Sequence, residues 1–224
     1  MMALKRYYCG IVVHFGMINA KLHLQTKVNG SRTMAEDTKR EELEEYRKYL
    51  ERLAESKSAD MFSNGGIEHA AILMSVLFQK TRGTVFMFCE GFKPNLISKD
   101  TYWNALDKYL ENTKHKLTVL IESDQYQKQK PLQTLHRLIM EGNDNIQVRL
   151  ISEEGKKIIA DRYGEDKCNF AIFDDDKFRF EYDPEEYKAF GSFNQPDECK
   201  DLKDIFFKAF NVSKPLWGDG VSRC

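Results

Sequence analysis

Residues 116–151 read KLTVLIESDQYQKQKPLQTLHRLIMEGNDNIQVRLI and decide the fold class. Lys116–Ile121 and Ile146–Ile151 are short apolar runs of the kind that form buried strands. Pro131–Met140 lies between them, has apolar residues at helical spacing, and carries proline in its first turn, where a helix tolerates it. A strand, a helix and a second strand in this order predict two parallel neighbours in one sheet.

The same alternation continues on both sides of this stretch. Upstream, a helix along Ile67–Lys80 precedes a strand at Thr84–Cys89 and a helix at about Ser98–Asn112. Downstream, Glu153–Tyr163 is predicted to be one more short helix. Helices that alternate with strands predict an α/β fold whose sheet is mainly parallel and flanked by helices.

The C-terminal part starts with a hairpin pattern. Cys168–Phe173 and Phe178–Tyr182 are strand-like runs that flank residues 174–177, three aspartates and a lysine, and aspartate tolerates the backbone conformations of a tight turn. Tyr187–Phe193 is predicted to be a further strand, and Leu202–Phe210 a final amphipathic helix.

A highly charged helix is predicted at Glu36–Lys57, ahead of the alternating part. Its apolar residues form one narrow stripe at three-four spacing: Leu43, Tyr46, Leu50 and Leu53. Such a stripe fits a helix that packs along the edge of the body. A helix that docks a partner or forms a homodimer is the alternative.

Residues 1–33 differ in composition from the rest of the chain. They carry five basic residues and no acidic one, and the whole protein has a formal net charge of -1, which leaves the remainder at about -6. We expect three parts: an N-terminal extension with poor order at 1–33, a charged amphipathic helix at 34–60, and the α/β domain at 61–224. An acidic body does not favour unspecific binding to phosphates, so charge alone does not support a nucleic-acid partner.

The cysteine pattern and the hydropathy of the chain indicate the cellular compartment. Five cysteines stand far apart without any C-x-x-C pair, which indicates neither a disulfide framework nor a zinc site. Free thiols fit a reduced, cytoplasmic compartment. No stretch approaches the roughly 18 apolar residues of a membrane span, so we expect no membrane partner.

Two segments near the C-terminus carry a family resemblance. The strand Phe170-Ala-Ile-Phe-Asp174 leads to Gly191-Ser192-Phe193-Asn194 and then to a helix. This resembles the end of a phospholipase D-like half-domain, whose pattern is His-x-Lys, four residues, Asp, and then Gly-Ser-x-Asn. The resemblance covers mainly residues 168–210. In that family the histidine attacks phosphorus, and the lysine and asparagine hold phosphate oxygens.

The departures from that pattern concern its catalytic residues. Counting back from Asp176 places Asn169 and Ala171 where histidine and lysine stand in the family, and counting from Asp175 places Cys168 and Phe170 there. A covalent phosphohistidine route needs the nucleophile and the cation together. Ordinary phospholipase D chemistry is therefore not expected.

The remaining polar residues form a candidate ligand site. Arg179 and Glu181 are two residues apart and share one face of a strand, while Phe178 and Phe180 take the other. This pair is either a structural polar network or a remodelled anion site in which the guanidinium replaces the missing lysine. The ligand-binding candidates are Asn64, His69, Asp174, Arg179, Glu181, Ser192 and Asn194. His69 fits a buried or rim histidine better than a catalytic one.

Three functions follow as hypotheses. The first is a non-catalytic or altered phospholipase D-like domain that binds a phosphate-bearing ligand or a protein partner, with no cofactor. The second is a phosphodiesterase or nuclease with a reorganised site, in which carboxylates after successive strands bind Mg²⁺: Glu90, Glu122, Asp124, Glu153 and Asp174. The third is a scaffold that assembles through the 36–57 helix.

Overall fold

The computed structural model describes residues 33–164 and 167–217. Contacts divide the chain into two units, one that ends at Arg40 and one that begins at Glu41. The described residues of the first unit are the opening turns of helix α1 (Thr33–Glu55). The predicted extension at 1–33 lies outside the described residues except for its last one, so the three-part division stays a prediction.

The second unit contains the rest of α1, one sheet and six further helices among its described residues. After α1 the elements are β1 (Met61–Asn64), α2 (Ile67–Gln79), β2 (Thr84–Cys89), α3 (Pro94–Ile97), α4 (Asp100–Glu111), β3 (Lys116–Ile121), α5 (Lys130–Met140), β4 (Ile146–Leu150), α6 (Glu153–Tyr163), β5 (Asn169–Phe173), β6 (Lys177–Asp183), β7 (Lys188–Ser192), α7 (Pro196–Asn211) and β8 (Lys214–Pro215). The predicted α/β class is confirmed. The predicted strands and helices are found close to their expected bounds, except that α7 begins at Pro196, well before the predicted Leu202.

The direction of the strands differs from the prediction. The sheet has the order β1-β7-β6-β5-β2-β3-β4-β8, and only the pairs β2–β3 and β3–β4 are parallel. The mainly parallel sheet was therefore wrong, because β5 pairs antiparallel with β2 and is followed by two antiparallel partners. An alternation of helices and strands predicts the elements, but it does not determine at which end of the sheet the chain enters the next strand.

Two apolar layers cover the two faces of the sheet. On one face, Val85, Met87 and Phe173 belong to a core that includes α2 and α4, with Leu73, Leu77 and Leu106 fully buried. On the other face, rings of β5, β6 and β7 pack against one another and against α7: Phe170 stacks on Phe180, Phe180 contacts Phe190 at a tilt, and Phe170 meets Phe206 edge-on. The alternation of side chains along each strand separates the two layers.

Helix α1 packs on the first of these layers through its apolar stripe. Leu50 is 0% exposed and belongs to the core, and Leu43 and Leu53 are partly buried against it. The Tyr46 hydroxyl donates a hydrogen bond to the carbonyl oxygen of Ser63, at the end of β1, over 3.0 Å. The prediction of a helix packed along the body is confirmed for residues 41–55, and Leu50 is buried more deeply than an edge position implies.

Candidate functional site

Strand pairing places a row of polar side chains on the face that α2 and α4 cover. Cross-strand partners point to the same side of an antiparallel sheet. The register gives one row across β1, β7, β6 and β5, namely Asn64, Ala189, Glu181 and Asn169. In this row Asn169 is the direct neighbour of Glu181 on one side, and Asn64 lies on the other side beyond Ala189.

Arg179 lies in the adjacent row, among apolar residues. This row runs across the sheet as Phe62, Gly191, Arg179, Ala171, Met87 and Val119. The two direct neighbours of Arg179 are glycine and alanine, which leaves room for its long side chain. Gly191 has no space for a Cβ atom, because the carbonyl oxygen of Phe178 and the ring of Phe62 lie too close.

Arg179 and Glu181 form a buried ion pair. The guanidinium Nη2 donates to Glu181 Oε1 over 2.6 Å, and the two residues are only 5% and 4% exposed. Asn169 donates from Nδ2 to the other carboxylate oxygen over 2.5 Å, and Asn64 Oδ1 accepts from Arg179 Nε over 3.4 Å. Each charge is thus held by its partner and by one amide.

Both amides are fixed in turn by the backbone. Asn64 donates from Nδ2 to the carbonyl oxygen of Tyr187 over 2.5 Å, and Asn169 Oδ1 accepts from the backbone N–H of Glu90 over 3.1 Å. A buried polar network is stable when its members are satisfied in this way, because an unpaired polar group is costly at low dielectric. The orientation of Arg179 is therefore well determined.

A cavity of about 50 Å³ opens beside this ion pair. By volume it holds about four water molecules or a small chemical group. Its polar lining residues are Lys93, Tyr102, Asn169, Arg179, Glu181 and Tyr187, and most of the other lining residues are apolar, among them Met74, Met87, Phe92 and Leu96. Lys93, Leu96 and Tyr187 are partly exposed, so the cavity reaches solvent between them.

Two donors in the lining residues have no acceptor within the part of the chain that the structure describes. Arg179 uses Nε and Nη2, while Nη1 donates to no described residue. Tyr102 is 3% exposed, and its hydroxyl makes no hydrogen bond to a described residue. Among the described residues, the Tyr163 hydroxyl is the one solvent-inaccessible side-chain polar atom without a hydrogen-bond partner. Arg179 Nη1 and the Tyr102 hydroxyl are therefore not fully enclosed, and both residues line the cavity.

The rim of the cavity carries a second ion pair. Lys93 Nζ lies 3.0 Å from Glu90 Oε2 and donates to the carbonyl oxygen of Pro184 over 3.3 Å. Lys93 follows the carboxyl end of β2, and Pro184 lies in the turn between β6 and β7. The lysine thus connects two loops beside the cavity, and its charge is already compensated by a carboxylate.

Glu122 follows the neighbouring strand β3 at the same end of the sheet. Burial raises the pKa of its carboxyl above the ordinary 4.5, and the charge of Glu90 adds to this, while Lys156, Lys167 and Lys93 oppose it. A folded state that holds its proton more strongly than the unfolded chain loses stability as pH rises through the folded pKa. Ionised Glu122 therefore destabilises the fold at neutral pH.

Replacing Glu122 by Gln is expected to raise the free energy of unfolding at pH 7, on the order of 0.5 kcal/mol because solvent screens a partly exposed group. The gain should shrink at pH 4, where the carboxyl is protonated in the wild type. Urea unfolding at both pH values measures it, with Glu111→Gln at an exposed position as the control. A variant that is less stable than wild type at pH 7 would contradict the expectation.

The structure places Ser192 and Asn194 away from the cavity. Ser192 pairs with Phe178, so it points to the face opposite Arg179. Asn194 donates from Nδ2 to the carbonyl oxygen of Lys57 over 2.9 Å, in the link between α1 and β1. The position next to Arg179 that the resemblance implied for Asn194 is therefore not found, and its role as a ligand residue stays a prediction.

His69 also lies outside the cavity lining. Its Nδ1 is 3.0 Å from the carbonyl oxygen of Gly65, and its ring meets the ring of Tyr46 edge-on at 4.6 Å. These contacts are those of a rim histidine that packs α2 against α1. Of the seven predicted ligand residues, Arg179 and Glu181 line the cavity and Asn64 supports them.

Asp174 anchors the hairpin. It has a left-handed backbone, with φ of 57°, and its carboxylate accepts the backbone N–H groups of Arg82, Gly83 and Thr84 over 2.9 to 3.2 Å. Burial alone would raise the pKa of Asp174, but these hydrogen bonds and the ion pair with Lys177 together hold it below its usual value. The carboxylate stabilises the start of β2.

This location corrects the predicted magnesium site. Because β5 is antiparallel to β2, Asp174 lies at the amino end of β2, whereas Glu90 and Glu122 follow the carboxyl ends of β2 and β3. The five carboxylates therefore do not converge. Among residues 33–164 and 167–217, no group of three or more His, Cys, Asp or Glu residues is arranged to hold a metal ion.

Sequence reasoning missed Asn169 and Tyr102 as site residues. In the sequence pattern Asn169 stands only at the position of the family histidine, and Tyr102 lies within the helix predicted at Ser98–Asn112. An asparagine at the start of an otherwise apolar strand was the available signal for the first. No local signal distinguishes Tyr102 from Tyr109, which lies on the same helix.

Comparison with known proteins found similarity among solved structures. No protein-family model matches the chain, and no curated protein matches its sequence. The chain is similar to TrmBL2, an archaeal chromatin protein whose structure shows a mode of DNA binding, with 14% identity and a TM-score of 0.49 over 80% of this chain and 66% of that one, just under two thirds of its length.

Two shorter proteins are also similar. They are Nuc from Salmonella typhimurium, described as a phospholipase D family member, with 10% identity and a TM-score of 0.45 over 70% of this chain and 98% of that one, and NucT from Helicobacter pylori, with 14% identity and a TM-score of 0.46 over 69% and 98%. Nuc is thus a member of the family that the C-terminal pattern of this chain resembles. Scores below 0.5 carry no conclusion about the site or the activity.

None of the helices between residues 33 and 217 that the structure describes is both long and apolar enough to cross a membrane.

Proposed function

We propose that this chain is a ligand-binding domain without phosphodiesterase activity, and that the cavity beside Arg179 takes an oxyanion of the ligand, such as a phosphoryl group. The observation that carries the proposal is a pair of donors that have no acceptor among the described residues, Arg179 Nη1 and the Tyr102 hydroxyl, on two residues that line one small cavity. Donors of this kind in one pocket bind a group that presents acceptor oxygens.

The chemistry of the lining supports binding rather than covalent catalysis. No histidine is among the described residues that line the cavity. Cys89 is, but burial raises the pKa of its thiol to about 12, and the thiol rather than the thiolate is then the form present at neutral pH. A covalent route would need a nucleophile at this position. Among the described lining residues, neither a histidine nor a cysteine thiolate is present to act as one.

The dimensions support a small group as the bound part. About 50 Å³ suits a single acidic group and not a whole nucleotide. A phosphate-bearing small molecule or an acidic side chain of a protein partner can each supply that group, since both present oxygens at the end of a flexible stem.

The test compares two tyrosines. The Tyr102 hydroxyl has no acceptor among the described residues, whereas the Tyr109 hydroxyl donates to backbone carbonyl oxygens. Both tyrosines lie on α4 and pack against Phe78. The Tyr109 hydroxyl lies 2.8 Å from the carbonyl oxygen of Lys116 and 3.1 Å from that of Gly83. Tyr102→Phe should therefore change the free energy of unfolding by less than about 0.5 kcal/mol, and Tyr109→Phe should lower it by about 1 kcal/mol.

Binding should show the opposite order. With inorganic phosphate and dimethyl phosphate as probes in ligand-observed NMR titrations, we expect at least one to bind the wild type and Tyr109→Phe, and Tyr102→Phe to bind it about tenfold more weakly, since a hydrogen bond to a charged group contributes about 1.5 kcal/mol or more. If both variants bound the probe with equal affinity, the proposal that the cavity is the binding site would be wrong.

A hydrolysis assay tests the absence of catalysis. Bis(4-nitrophenyl) phosphate and a short single-stranded DNA are incubated with the protein, with and without Mg²⁺ and a chelator. We expect no turnover. Turnover that Tyr102→Phe or a chelator abolishes would replace the binding proposal by the phosphodiesterase hypothesis.

A further inference from the structure

We propose that Glu181 sets the charge of the ligand, so that the cavity accepts an acceptor group with at most one negative charge, such as a carboxylate or a phosphodiester, and discriminates against a phosphate monoester dianion. This inference rests on the proposed function and narrows its ligand class.

The cations at the cavity are already compensated. Arg179 is paired with Glu181 over 2.6 Å inside the protein, and Lys93 is paired with Glu90 over 3.0 Å at the rim. These four side chains together carry no net charge. A dianion would therefore bring two uncompensated charges into a site with a low dielectric, and a monoanion only one.

Glu181 cannot leave this arrangement easily. One carboxylate oxygen accepts from Arg179 and the other accepts from Asn169 over 2.5 Å, and Asn169 is itself tied to the backbone of β2 through Glu90. Turning the carboxylate away would break both hydrogen bonds in a residue that is 4% exposed. The carboxylate of Glu181 therefore stays beside the cavity, with its negative charge, when a ligand binds.

The donors that remain suit this ligand class. Arg179 and Tyr102 both line the cavity, and neither Nη1 of the first nor the hydroxyl of the second has an acceptor among the described residues. In our proposal they donate to two oxygens of one bound group while Glu181 keeps its place. Glu122 lies at the same end of the sheet and adds a carboxyl group, on which Lys156 and Lys167 act as the nearby cations, and Tyr187 lines the opening. A carboxylate or a phosphodiester uses both donors with the smallest electrostatic penalty.

The experiment compares two probes of similar size. Methyl phosphate is mainly a dianion at pH 8 and mainly a monoanion at pH 5, because the second pKa of a phosphate monoester is about 6. Dimethyl phosphate keeps one charge at both values and therefore controls for changes in the protein itself. At pH 8 we expect methyl phosphate to bind the wild type about tenfold more weakly than dimethyl phosphate in NMR titrations, and at pH 5 the two to bind alike.

The substitution Glu181→Gln removes the fixed charge and should bring the affinity for methyl phosphate at pH 8 to that for dimethyl phosphate or above it. If this variant does not fold, the pH comparison in the wild type decides. Wild-type protein that binds the dianion at pH 8 as tightly as the monoanion would overturn the inference. Wild-type protein that binds neither probe at either pH would instead overturn the proposed function.

Discussion

Replacing Arg179 by Met is expected to lower the free energy of unfolding by about 3 to 5 kcal/mol, because the change leaves the carboxylate of Glu181 buried without its cation. Glu181 is 4% exposed, and among the described residues its carboxylate then keeps only the hydrogen bond from Asn169. A loss of this size is a large part of the stability of an ordinary domain. Equilibrium urea unfolding at pH 7 measures it.

Two further variants identify the cause. Arg137 forms an ion pair with Glu141 on the surface of α5, with the side chains 60% and 56% exposed, so Arg137→Met removes an Arg–Glu pair of the same kind and should cost less than about 0.5 kcal/mol. Combining Arg179→Met with Glu181→Gln should recover at least half of the loss. An Arg179→Met protein as stable as the wild type would show that the pair is not buried in solution.

Replacing Leu50 by Glu is expected to lower the free energy of unfolding by about 4 kcal/mol or more. Leu50 is 0% exposed and belongs to the core, so the change removes buried apolar contacts and places a carboxylate inside the apolar core. From the sequence alone, a narrow apolar stripe on a charged helix predicts that Leu50→Glu changes edge packing or association more than core stability. Because Leu50 is fully buried in the structure, we expect the larger loss of stability instead.

The matched control lies one residue away on the same helix. Tyr49 is 37% exposed, so Tyr49→Glu introduces the same charge at the surface and should change stability by less than about 1 kcal/mol. Thermal and urea unfolding compare the two variants, and size-exclusion chromatography tests the dimer alternative. If Leu50→Glu unfolds like the wild type but changes the oligomeric state, α1 is an assembly helix and not part of the core.

Local periodicity determined much of this protein. The apolar runs that became β2, β3 and β4, the helices between them, and the hairpin at residues 174–177 follow from patterns within about a dozen residues. The same kind of pattern separated Arg179 and Glu181 from Phe178 and Phe180. Side chains alternate along any strand, so this separation holds whatever the strand pairs with.

Only the tertiary structure decided which residues meet. The antiparallel entry of β5 beside β2 moved Asp174 to the end of the sheet opposite Glu90 and brought Asn169 next to Glu181. The packing of α4 over the sheet brought the Tyr102 hydroxyl to the cavity at Arg179. Strand direction and helix placement depend on the path of the chain between elements and on the burial of whole faces, and neither quantity is encoded in the spacing of neighbouring residues.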